Sequence, residues 1–297
     1  MSSVERFAYP VASVADLAPP VQAALKAELL SDEAVRQMVF APRQSHLARR
    51  RDIWARLGAL LAEQRTPDWV LALTDNRLLL ATISDPARPP QVSATRLADL
   101  LWLELGTILL YSWFAWSWNN QGRVEQQTVY FNTVRDDLFW QLANAIRRTI
   151  IQQRRATRPD QLRDNSVFEG LPFKFKNLIP LRLMFPDEPV QSIVYQPAIW
   201  GRRLGVFRHQ RAPTTVVVLS PDHLLIAQED LSSLRFAYGL IARYCLRDRL
   251  LDAAVEREQE DVWLRITLAS GEARETLRLL FQPMAEQALQ NLIAGIT

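Results

Sequence analysis

The feature that most constrains this chain is a repeat. Asp32-Glu-Ala-Val-Arg-Gln-Met-Val-Phe-Ala-Pro42 reads like Asp187-Glu-Pro-Val-Gln-Ser-Ile-Val-Tyr-Gln-Pro197, with five of eleven positions identical and an offset of 155. Leu73 to Ala81 matches Leu219 to Ala227 at an offset of 146, and Glu125 to Ile146 matches Glu275 to Ile296 at an offset of 150. The last block aligns Phe131 with Phe281, Phe139 with Leu289 and Leu142 with Leu292. Three blocks recurring in one order point to a duplicated unit. The fall in offset from 155 to 146 gives the first copy nine extra residues. They are placed in Asp52–Ala62, where Ile53, Leu57, Leu60 and Leu61 have helical spacing.

The periods within each copy define its elements. Val35–Phe40 and Val190–Tyr195 read as short strands stopped near a proline, which cannot donate to a ladder. Trp69–Leu73 and Leu78–Thr82 flank the turn formers Thr74-Asp-Asn-Arg77, and Thr215–Leu219 and Leu224–Ala227 flank Ser220-Pro-Asp-His223. A later hairpin runs through Tyr111–Trp118 and Val124–Phe131, with Val262–Leu268 and Thr276–Phe281 as its counterpart. Each copy then changes to a 3.6-residue period. Thr133-Val-Arg-Asp136 reads as a capping-box start for a helix carrying Phe139, Leu142 and Ile146. Pro283 opens a second helix with Leu289, Leu292, Ile293 and Ile296 on one face.

These boundaries give an N-terminal extension over 1–24 with little assignable structure, a first unit over 25–150, a linker over 151–166 and a second unit over 167–297. The linker reading rests on Gln152–Ser166, which holds four Arg and two Asp and little that could pack. A chain of 297 residues is long enough for two such domains.

Six or seven short strands followed by one amphipathic helix, in roughly 120 residues, resemble the pleckstrin-homology-like (PH-like) domains of bacteria. Glu33–Pro42 and Glu188–Pro197, the two hairpins and the closing helices carry the resemblance. It implies a mainly β fold with α (α+β): two tandem PH-like β-barrels, each closed by its C-terminal helix. It also implies a non-catalytic scaffold whose partner is a protein, a second copy of itself, or an anionic membrane surface. Between Phe236 and Glu260 the second copy departs, with Arg243, Arg247, Asp248, Arg249, Asp252, Glu256, Arg257, Glu258 and Glu260 replacing an apolar run. Strand and helix are both open there.

Composition narrows the function further. Formal net charge is only +3, so any affinity for polyanions would come from a local patch. One cysteine, Cys245, cannot staple a secreted fold, and its apolar neighbours predict a packed thiol. Leu105–Gly122 carries no formal charge, but its apolar part, Leu105–Trp118, is about 14 residues where a span needs ~20. No secretory pattern precedes Pro10, so a cytoplasmic location is expected, peripheral to the membrane where lipid is the partner.

No metal-ligand spacing joins His46, His209 and His223, and no nucleophile or phosphate-loop motif is present. No cofactor is expected, and nucleic acid is disfavoured because no element interleaves basic and aromatic residues. His223 reads as a solvated turn residue. Acidic pairs such as Asp32/Glu33 suit turns and helix dipoles. The alternative of an enzyme with dispersed catalytic residues stays open at this point.

Two clusters stand out as candidate sites. Tyr111 and Trp113 alternate with Phe114, Trp116 and Trp118, so a single strand carries aromatics on both faces. Either both faces are buried, as core covered by a helix or the other copy, or the strand is a candidate interaction surface, because Trp and Tyr concentrate at interface hot spots. Arg49, Arg50 and Arg51 in the first copy, and Arg202 and Arg203 in the second, are the candidate anion-binding residues. Their placement is similar to the basic loop by which membrane-binding PH domains hold headgroups, and arginine binds phosphate bidentately. With three Lys against thirty-two Arg, a general arginine bias is the simpler account of such clusters.

Overall fold

The computed structural model describes residues 7–46, 64–85, 87–108, 111–154, 163–203, 207–229 and 239–296. In chain order the elements are β1 (Tyr9–Pro10), helix α1 (Pro19–Glu28), β2 (Val35–Ala41), β3 (Ser45–His46), β4 (Gln64–Arg65), β5 (Asp68–Thr74), β6 (Arg77–Ile83), β7 (Gln91–Arg96), β8 (Leu100–Ile108), β9 (Tyr111–Asn120), β10 (Arg123–Asn132) and helix α2 (Asp136–Arg154). Then come helix α3 (Phe173–Leu178) with a π-helical turn (Ile179–Leu183), β11 (Ser192–Gln196), β12 (Ile199–Arg203), β13 (Phe207–Ala212), β14 (Thr215–Leu219), β15 (His223–Glu229), β16 (Leu240–Leu246), β17 (Leu250–Glu258), β18 (Asp261–Ser270), β19 (Ala273–Phe281) and helix α4 (Glu286–Ala294). Among the described residues, each half thus runs helix, nine strands, helix, with β1 preceding this series in the first half. β8, β9, β10 and α2 begin 150 residues before β17, β18, β19 and α4.

The sheets correct the expectation of two closed barrels. The chain is mainly β in several antiparallel sheets, none of which closes into a barrel. Closure would need each half's strands to return to one another. Instead a short 3-10 turn at Leu97–Asp99 separates β7 from β8, and β8 pairs with β16 of the other half. Leu100 to Gly106 are all buried, so β8 is an apolar strand with both faces covered. Nor does a helix close a barrel at the end of each half.

Packing divides the chain into two compact units, Met1–Ala98 with Leu109–Phe114 and Thr128–Gln153, and Asp99–Ile108 with Ala115–Gln127 and Arg154–Thr297. The first holds a five-stranded sheet in the order β1-β2-β5-β6-β7. Helix α1 lays Val21 and Leu25 on Met38, Val70, Ala72, Leu79 and Ala81 of that sheet. The N-terminal segment is therefore part of the core, not an extension: β1 pairs with β2, and Pro19 and Pro20 start a helix, where their missing N–H groups cost nothing. Helix α2 buries Phe139 against Phe131, whose ring is stacked at 3.6 Å, and against Phe114 at 6.3 Å. The turn before α2 is capped by Asn132, whose side chain accepts from the Val134 N–H at 3.0 Å, one residue earlier than the Thr133 box predicts.

The second unit holds β8, Ala115–Asn120 of β9 and Arg123–Gln127 of β10 in one sheet with β16, β15, β14 and β11. It also has the three-stranded sheet β17-β18-β19 and the β12–β13 pair. Among its described residues, the charged window that departs from the first copy is chiefly strand, forming β16 and all of β17 with a 3-10 turn at Arg247–Arg249 between them. Register explains how it alternates. Ala253 and Val255 lie opposite the buried Ile266 and Leu264, while Asp252, Ala254 and Glu256 lie opposite Thr267, Arg265 and Trp263. Among the described residues, no helix is long and apolar enough to cross a membrane.

One tight turn depends on its residue type. β9 and β10 are joined by Gln121 and Gly122, at φ of 51° and 87°. Two successive positive φ values suit the right-handed twist of a hairpin. Gly122→Ala should lower stability by about 1 kcal/mol, because a Cβ is disfavoured in that backbone region. A thermal melt against the wild-type chain would measure it.

Candidate functional site

The aromatic strand gives its side chains mainly to the interior. Phe114 and Trp116 are 0 % and 1 % exposed and Trp113 is 8 %, while Tyr111 and Trp118 are half-buried. Tyr111 stacks on Tyr130 at 5.3 Å, and Phe114 packs on the α2 Phe139. Burial of a large aromatic removes ~150–250 Å² from water, so these residues are chiefly core. Of the candidate arginines, Arg49, Arg50 and Arg51 lie outside the described residues. Arg202 and Arg203 lie on β12, where their register partners on β13 are Arg208 and Phe207. Cys245 is fully buried, and burial pushes its thiol up to about 12, so it is not a reactive thiolate.

The polar groups that structure brings together are ones the sequence patterns did not single out as a site. In the first unit, the Glu33 carboxylate receives the Arg77 guanidinium, with Nε 2.9 Å from Oε1, and the Thr74 hydroxyl at 2.5 Å. Arg77 Nη2 also donates to the Glu28 carbonyl at 2.9 Å. The Thr74 hydroxyl accepts from the Arg77 N–H at 2.9 Å, fixing the β5–β6 turn. Glu33 is further tied to its own turn, since the Leu30 N–H donates to Oε2 at 3.3 Å while the Glu33 N–H donates to the Leu30 carbonyl at 3.1 Å. Chiefly because of the Arg77 hydrogen bonds, Glu33 is held at about 2, far below its ordinary 4.5.

The second unit carries the same arrangement with different residues. The Phe185 N–H donates to Glu188 Oε2 at 3.2 Å, and the Glu188 N–H donates to the Phe185 carbonyl at 3.1 Å. The Ser220 hydroxyl accepts from the His223 N–H at 3.2 Å, as Thr74 does from Arg77. His223 Nε2 lies 3.0 Å from Glu188 Oε1, in the place of the guanidinium. Even the outer turn bond recurs: Leu97 N–H to the Asn76 carbonyl at 2.8 Å, and Arg247 N–H to the Asp222 carbonyl at 2.9 Å. His223 is thus not a solvated turn residue; it is 2 % exposed, edge-on to the Tyr244 ring at 5.3 Å.

Ser, His and Glu together invite a catalytic reading, and the geometry excludes it. The Ser220 hydroxyl bonds to the backbone of His223, so it is not set up as a nucleophile with the imidazole as its base. Ser220, His223 and Glu188 are 1 %, 2 % and 0 % exposed, which leaves no room for a substrate. The two clusters are struts that tie the turn before β2 to the β5–β6 hairpin, and the turn before β11 to the β14–β15 hairpin.

A third pair sits where β8 meets β16. Arg243 and Glu104 are register partners, with Nε and Nη2 at 2.9 and 2.5 Å from Oε2. The guanidinium carbon lies 4.6 Å from the centre of the Trp102 ring. Burial opposes the Arg243 charge, and the attraction of Glu104 and its hydrogen bond, with Cys245 and Glu275, together outweigh it, so its pKa is raised. Among the described residues, no group of three or more His, Cys, Asp or Glu is placed to hold a metal ion. No family model matches this chain, and no curated protein matches it.

Proposed function

We propose that the chain is a non-catalytic binding or scaffolding protein made of two diverged copies of one β-rich unit, working by protein–protein interaction or self-association. The observation that carries this reading is the fate of its buried polar groups. Glu33 with Thr74 and Arg77, and Glu188 with Ser220 and His223, occur at equivalent points of the two halves and tie the same backbone segments together. A duplicated structural strut accounts for both. A catalytic group needs access to a reacting atom, and these groups face inward. What the halves offer outward is strand edge and surface, the means by which sheet proteins commonly bind partners.

Sedimentation of the full chain over a range of concentrations tests this. Mass should rise with concentration. A second reading, peripheral binding to anionic lipid, is favoured by the register of β12 and β13, which sets Arg202 opposite Arg208. Vesicles rich in acidic lipid should then carry the chain down, more weakly as salt is added, and Arg202→Gln with Arg203→Gln should reduce it. A chain that stays monomeric and ignores acidic vesicles at low salt would overturn both readings.

A further inference from the structure

We propose that the chain assembles with copies of itself by pairing the outer edge of β17 on one chain with the outer edge of β7 on the next. This rests on the binding reading above and names its partner and its surface.

The argument starts from a pairing the molecule already makes. β16 ends one half's first sheet and β8 begins the other half's second group of strands; they pair antiparallel from Leu240–Thr107 to Cys245–Trp102. The equivalent of β16, 150 residues earlier, is β7, and the equivalent of β8, 150 residues later, is β17. Those two strands stand at the ends of their sheets: β7 closes the order β1-β2-β5-β6-β7, and β17 opens β17-β18-β19. Among the described residues, each chain therefore uses one β16-type edge and one β8-type edge internally and has one of each at the end of a sheet.

Carrying the internal register across by the same 150 residues sets Gln91 opposite Glu256, Val92 opposite Val255, Ser93 opposite Ala254, Ala94 opposite Ala253 and Thr95 opposite Asp252. No like charges meet. The apolar pairs fall in register with rows already present: Ala81 is beside Val92 and Leu79 beside Ala94 on one edge, and Val255 is beside Leu264 and Ala253 beside Ile266 on the other. Joined, they would give the continuous rows Ala81–Val92–Val255–Leu264 and Leu79–Ala94–Ala253–Ile266. The internal seam does the same with Leu225–Tyr244–Leu103 and Ala227–Ala242–Leu105. Leu251, at the bulged end of β17, is 57 % exposed, whereas its equivalent Leu101 in β8 is 0 % exposed. Because β7 and β17 are different surfaces, the contact is head-to-tail and propagates into a ring or a filament.

Cross-linking reads the register directly. Chains carrying Ala94→Cys are mixed with chains carrying Ala253→Cys, oxidised mildly and run without reductant. Cys245 is buried and does not compete. A cross-linked dimer should form in this mixture and not in either sample alone. Ala94→Cys mixed with Arg257→Cys should fail, because four residues along a strand is about 13 Å, beyond disulfide reach. The internal seam supplies a second test. Ser93 and Ala254 stand where Arg243 and Glu104 stand in it, so Ser93→Arg with Ala254→Glu in one chain should tighten self-association about fivefold. Ser93→Glu with Ala254→Glu should loosen it. Self-association that proceeds without the Ala94–Ala253 cross-link would overturn the edge pairing and leave the binding reading standing. A wild-type chain that self-associates no differently from both charge variants, or that stays monomeric with them, would overturn it as well.

Discussion

Acidification should strip from the first compact unit a stability that a Glu33→Gln variant lacks at every pH. Glu33 is held at about 2 in the folded chain, principally by hydrogen bonds from Arg77, against an ordinary value of 4.5. Its side chain is 4 % exposed, so solvent screens the interaction little. A carboxylate whose pKa is depressed by folding adds stability that is fully present above the unfolded value and is lost as pH falls toward the folded one. The window is therefore about pH 4.5 down to about 2, and the loss across it is about 3 kcal/mol. Glu33→Gln removes the charge at all pH values. It should melt well below wild type at neutral pH, and the gap should narrow steadily through the window. A gap that stays constant from neutral pH to about pH 2 would mean that the Glu33–Arg77 pair contributes nothing through its charge.

How much of this was legible depended on whether a signal was local. The hairpins around Thr74–Arg77 and Ser220–His223 could be read because turn formers interrupt alternating apolar strands, and β5–β6 and β14–β15 lie there. The buried clusters beneath them were not read, because each joins residues about 35 to 45 positions apart (Glu33 with Arg77, Glu188 with His223). A signal did exist. Glu188 and His223 occupy the aligned places of Glu33 and Arg77, so the repeat itself couples the two positions. The Pro-Asp turn before His223 predicts a solvent-facing side chain, because turns are usually exposed. Here the Phe185–Glu188 turn supplies the carboxylate that meets it.

The proline-containing residues 1–24 read as an extension with little assignable structure, whereas Pro19 and Pro20 start a helix that delivers Val21 and Leu25 to the core. The barrel expectation failed for a different reason. Local pattern identifies strands but not their partners, and β8 and β17 show how far partners decide composition. The two strands are equivalent in order, yet β8 reads Leu-Leu-Trp-Leu-Glu-Leu and is buried, while β17 reads Leu-Leu-Asp-Ala-Ala-Val and is largely solvated. What looked in the sequence like divergence of the second copy is the difference between an inner strand and an edge.

That inner position makes the Arg243–Glu104 pair the most consequential polar contact on the β8–β16 seam. The side chain of Glu104 is 11 % exposed and that of Arg243 28 % exposed, so neither charge is well hydrated if its partner is removed. Arg243→Ala should cost about 3 kcal/mol, toward the lower end of the range for breaking a buried pair because Arg243 keeps some contact with water. It also uncovers the Trp102 ring on which the guanidinium lies. Removing both charges should be far milder. Arg243→Met with Glu104→Leu keeps the volume and leaves no orphaned charge, so most of the stability should return. A double-mutant cycle on thermal or denaturant unfolding isolates the coupling, expected at about 2 kcal/mol. If Arg243→Ala lowers stability by less than about 0.5 kcal/mol, the pair behaves as a solvent-screened surface contact. The seam would then be held by Leu103, Leu105, Ala242 and Tyr244 alone, and the charge pattern borrowed from it to strengthen the β7–β17 edge would lose its basis.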